Sequence, residues 1–146
     1  MDRTAEAKAA KDVWREAAVA AAATRTVPYF RHAYLLALAR HPMMTGSPEL
    51  AKVNQMVAAL AKDPAVTGEQ RALARMLDLH AEANGAFGNL AVSRDLLGRY
   101  EAVITDYPDT LCARTAKKQV QWLQRIIGEM EAAERRKLAP RAPLPR

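Results

Sequence analysis

The chain has 146 residues, half of them apolar but only 5% aromatic, with a single cysteine and a formal net charge of +6. One cysteine excludes an internal disulfide and a cysteine-based zinc cage. No run approaches the roughly eighteen continuous apolar residues of a membrane span, and Asp2, Glu6 and Asp12 spoil a secretory signal at the N-terminus, so the expectation is one cytoplasmic domain over residues 1–138, all-α and away from membranes.

The first helix is expected from about Asp2 or Thr4 to Ala23, with Val13, Trp14, Ala17 and Ala21 at helical spacing and Trp14 as anchor. Pro28, tolerated in a first turn, opens a second that carries Tyr29, Phe30, Tyr34, Leu35 and Leu38 to about Arg40. His41-Pro42 stops it, with His41 placed to interact with the negative end of the helix. Ser47 as N-cap and Pro48 at the first position then start a third, whose Leu50, Val53, Met56, Val57 and Leu60 form one stripe until Asp63-Pro64.

Thr67 to Gln70 has capping-box spacing, which predicts a fourth helix with Leu73, Met76, Leu77 and His80 on its inner face. Asn84-Gly85 is expected to end it with a left-handed residue, followed by a short turn through Phe87 and Gly88. Asn89 caps a fifth bearing Leu96, Leu97, Tyr100, Val103 and Ile104. Tyr107-Pro108 halts that helix, and Asp109 is expected to cap a sixth carrying Ala113, Ala116, Val120, Leu123 and Ile127 toward Lys137. Residues 139–146, Ala-Pro-Arg-Ala-Pro-Leu-Pro-Arg, hold too little apolar surface to pack and read as a disordered tail.

Three of these helices end in related phrases, Ala39-Arg40-His41-Pro42, Ala61-Lys62-Asp63-Pro64 and Thr105-Asp106-Tyr107-Pro108. Over residues 77–127 the order of helix, turn, helix ending at Tyr107-Pro108-Asp109, and alanine-rich helix resembles divergent bacterial tetratricopeptide repeats. Tyr100 and Val103 match the bulky and small positions of the family's second helix, and Pro108 matches the closing proline; His80, Asn84 and Leu96 depart from it. The resemblance implies about six antiparallel helices in stacked hairpins, forming a right-handed superhelix or a compact bundle with a groove for a peptide or partner protein. A single amphipathic hairpin cannot cover its own apolar face, so hairpins stack, and uncapped ends of such a stack make homo-oligomerisation an expectation.

Neither catalytic nor metal chemistry assembles from this sequence. His32, His41 and His80 lack zinc spacing, Asn84 to Gly88 lacks the lysine and strand of a phosphate loop, and no cofactor is implied. Cys112 reads as a small buried hydrophobe near a helix start; the alternative is a thiol activated by that helix end. His80 reads as a packed or interface residue. Arg114, Lys117, Lys118, Gln121 and Arg125 form a basic face on the sixth helix, suited to an acidic peptide or to phosphates. Trp122 lies at the edge of the buried stripe, either anchoring an interface or packing under the fifth helix or the tail. The leading expectation is a non-enzymatic adaptor for a protein segment. The alternatives are a basic subunit that binds nucleic acid and an accessory domain of a longer enzyme.

Overall fold

The computed structural model describes residues 2–85 and 88–140. Among them are six α-helices and no strand: α1 (Arg3–Ala23), α2 (Pro28–Ala39), α3 (Pro48–Leu60), α4 (Pro64–Ala83), α5 (Leu90–Asp106) and α6 (Leu111–Leu138), with a 3-10 turn at Pro42–Met44. The fold is all-α, and no described helix is long and apolar enough to cross a membrane. The chain divides into two compact units at Gly68 and Glu69, a boundary inside α4.

In the first unit α2 packs on α3 and α1 on both. Ala22, Leu35, Leu38, Met44 and Val53 form the core, and Trp14, Leu50, Val57 and Leu60 close over it. Polar side chains tie these helices together. The Tyr34 hydroxyl donates to the Ala18 carbonyl at 2.7 Å, and Arg25 lies 3.7 Å above the Tyr34 ring. Arg15 Nε donates to the Met43 carbonyl at 2.6 Å.

In the second unit α5 lies along α6. Arg94 near the start of α5 pairs with Glu131 far along α6 at 2.6 Å, so the chain doubles back at Tyr107 to Thr110. The core joins Ala72, Met76 and Leu79 of α4 to Leu96, Tyr100 and Val103 of α5 and to Cys112, Ala116, Val120 and Leu123 of α6. Two further ion pairs, Arg75 with Asp106 and Arg99 with Glu82, link α4 to α5.

Several helix ends differ from the sequence-based expectation. Helix α4 begins at Pro64, because Asp63 Oδ1 accepts from the Ala65 amide at 2.8 Å and proline suits a first helical position. The dipeptide that stops one helix therefore starts the next, and Thr67 and Glu69 lie inside α4. Ser47 occupies the N-cap of α3 without a capping bond: its own carbonyl already receives the Leu50 amide at 3.2 Å, and its Oγ is buried without a partner.

Thr110, rather than Asp109, caps α6, its hydroxyl accepting from the Ala113 amide at 3.0 Å. A turn from Tyr107 to Thr110 with Pro108 second takes up Asp109 first. His41 caps the 3-10 turn, with Nδ1 accepting from the Met43 amide at 3.2 Å, and its ring packs 4.7 Å from that of Trp14. Among the described residues between α4 and α5, the left-handed one is Gly88, at φ 87°, rather than Gly85. The expected turn through Phe87 lies outside the described residues, as does the tail from residue 141 on.

On α4 the buried stripe is Val66, Ala72, Met76 and Leu79, while Leu73 is 36% and Leu77 60% exposed. The sequence offers two adjacent apolar stripes on this helix. The one carrying Ala72 faces the core, where a small side chain permits close approach.

Candidate functional site: the outer face of the last helix

Helix α6 is set by two opposite stripes. Ala113, Ala116, Val120, Leu123 and Ile127, spaced three or four residues apart, are buried. Arg114, Lys118, Gln121 and Arg125 repeat the same spacing and are exposed, as is Lys117 beside them. At 100° per residue the second stripe lies about half a turn from the first, so burial of one obliges exposure of the other. The basic stripe runs for about 16 Å along the helix axis.

Residues 111–128 contain four cations and no carboxylate. Arg75, Arg94 and Arg99 each meet a carboxylate; Arg114, Lys117, Lys118 and Arg125 make no ion pair among the described residues. Their charge therefore stands uncompensated on a rigid surface.

That rigidity comes from the start of α6. Glu69 of α4, only 6% exposed, accepts from the Leu111 amide with Oε2 at 2.8 Å and from the Cys112 amide with Oε1 at 3.0 Å. With Thr110 this satisfies three of the four amides a helix leaves open at its N-terminus, and it sets a carboxylate at the positive helix end. Cys112 is consequently no activated thiol. Burial, reinforced by the Glu69 carboxylate, pushes its pKa up to about 11, and the helix end does not offset that.

Beside the basic stripe a pocket opens where α5 and α6 meet the end of α4. Its walls are aliphatic, from Ala83, Leu96, Leu123 and Ile126, with Trp122 at one side. Its polar lining is mostly satisfied internally. Ser93 Oγ donates to the Asn89 carbonyl at 2.9 Å, and the Tyr100 hydroxyl shares a 2.8 Å hydrogen bond with His80 Nδ1. Burial raises the Tyr100 pKa, which keeps the phenol neutral. Among the described residues Gln119 and Trp122 complete the polar lining, and Gln119 has no hydrogen-bond partner there.

The structure thus brings Arg114, Lys117, Lys118, Gln121 and Arg125 together on one exposed face and places Trp122 at its edge, half-buried against the core. His80 stands apart from that face. It is half-buried on α4, with its ring 5.9 Å from that of Tyr100, and contributes to packing under the pocket. Glu69 was missed at the sequence level; its signal was a lone carboxylate within the stripe Val66, Glu69, Ala72, Met76.

A second cleft, between α1 and α3 of the first unit, has Val19, Ala20, Ala23 and Met56 as its floor and carries charges of both signs, Glu16, Glu49 and Lys52. Among the described residues no three His, Cys, Asp or Glu side chains converge as metal ligands. Compared with known family models, curated proteins and solved structures, the chain matches none of them.

Proposed function

We propose that this chain is a non-enzymatic binding module that holds an acidic segment of a partner protein against the outer face of α6. One observation carries the reading: a carboxylate-free stretch whose four cations are exposed and unpaired on a helix fixed from beneath by its core and its cap. Opposite charge steers such a partner to the surface and sets its register there. In the same reading α4, α5 and α6 are successive members of a tetratricopeptide-like stack, with Pro108 at the corner that closes one unit. A protein segment is favoured over nucleic acid because the neighbouring pocket is aliphatic and small, with about 40 Å³ of open volume. That is room for about three waters, less than a nucleobase requires.

The test is an anisotropy titration of the whole chain with a fluorescein-labelled glutamate-rich nonapeptide and, separately, with labelled oligothymidine. The reading expects saturable, salt-sensitive binding of the peptide that is lost on reversing Lys118 and Arg125 to glutamate. Binding of oligothymidine in preference to the peptide, or of neither, would overturn it.

A further inference from the structure

We infer that the pocket beside Trp122 is an anchor subsite for one aliphatic side chain of the acidic segment, with carboxylates on either side of that anchor meeting Lys118 and Arg125. This rests on the proposed function and specifies its partner. The pocket's contribution from α6 runs from Gln119 to Ile126, about 10 Å of helix. Lys118 and Arg125 are exposed within one residue of either end of that run. A strand-like segment advances about 3.3 Å per residue, so a side chain seated at the middle of the pocket leaves its neighbours one or two positions away level with the two cations.

The lining selects the anchor. Leu96, Leu123 and Ile126 offer only apolar contact, while Ser93 and Tyr100 have spent their hydroxyls on Asn89 and His80. A polar side chain entering here would lose its hydration and find no free partner among Leu96, Leu123, Ile126, Ser93 and Tyr100. A leucine-sized group loses nothing comparable. The cavity measures about 40 Å³, the space of about three waters, which suits a single small side chain. Charge complementarity therefore chooses the segment, and the pocket chooses the residue within it.

The experiment compares two nonapeptides on the whole chain, each with four glutamates on either side of a central leucine or a central alanine. The leucine peptide is expected to bind about tenfold more tightly, on the scale of two buried methylene groups. In the variant Gln119→Trp, which narrows the pocket from α6, the preference for leucine over alanine should vanish. Photoleucine at the central position of the peptide should cross-link to residues within 93–126 of the unmodified chain, a readout independent of whether the variant folds. Equal affinity for the two peptides, or cross-links confined to residues before Glu69, would overturn the anchor and leave the basic face standing. Binding of neither peptide would remove both.

Discussion

Glu69 and Leu111 are joined across forty-two positions of sequence by a 2.8 Å hydrogen bond from the Leu111 amide to a carboxylate buried in the other helix. The second carboxylate oxygen takes the Cys112 amide. Replacing Glu69 by alanine strands two amides where water hardly reaches, and the expected cost is about 2–3 kcal/mol. Glu69→Gln, which keeps one acceptor, should cost about 1 kcal/mol. Urea unfolding followed by Trp122 fluorescence in a Trp14→Phe background reads this unit alone. A shift in either variant too small to measure would refute the cap's energetic role.

Cys112 predicts an alkaline instability. In the unfolded chain the thiol ionises near pH 9, whereas in the native chain it holds its proton to about pH 11. Between those values the native state binds more protons than the unfolded one, so stability present below pH 9 is lost as pH rises to 11, by about 2–3 kcal/mol. Cys112→Ala should flatten that part of the profile, leaving the contribution of Tyr100, whose pKa burial also raises. A thiol reagent such as dithionitrobenzoate at pH 8 should label the native chain far more slowly than the urea-unfolded one. Equal rates would contradict the buried, protonated thiol.

Ser47 predicts the reverse of a usual cap. Loss of an N-cap serine ordinarily costs about 1 kcal/mol, but here Oγ makes no capping bond and is buried without a partner. Ser47→Ala should therefore be neutral within about 0.5 kcal/mol or stabilising. Thermal unfolding monitored by circular dichroism decides it, and a loss near that of an ordinary cap would show that the hydroxyl is bonded in solution.

On the outer face of α6, the double variant Lys118→Glu with Arg125→Glu should weaken acidic-peptide binding by at least tenfold at about 50 mM salt, where the Debye length is still longer than 10 Å. Both side chains are exposed and unpaired, so unfolding should shift by no more than about 0.5 kcal/mol. Unchanged affinity would move the binding surface elsewhere.

Helix identity was largely legible in the sequence because apolar spacing and proline positions act locally. The stripes of α5 and α6 fall where the spacing put them, and Asn89 caps α5 through Oδ1 on the Val92 amide at 3.0 Å. What escaped was decided by competition between equivalent signals. Asp63-Pro64 is both a stop and a start, and only packing shows that it serves as both. On α4, Leu73 and Leu77 compete with Ala72 and Leu79 for the core; Ala72 and Leu79 are buried against α5 and α6, and the small Ala72 permits close approach.

The candidate site divides along the same line. The basic stripe could be read directly, since it is a consequence of one helix's periodicity. The pocket could not, because Ala83, Leu96 and Leu123 come from three helices whose registers only the fold relates. His80, expected as a packed or interface residue, is half-buried and hydrogen-bonded to Tyr100.

The tie between α4 and α6 also orders events as the chain is made. During synthesis the carboxylate of Glu69 leaves the ribosome before the amides that it will accept, so the acceptor is present when the start of α6 emerges. Conversely, a fragment beginning after Glu69 would carry α6 with its first turn open, and the surface on that helix would fray from the end nearest Arg114.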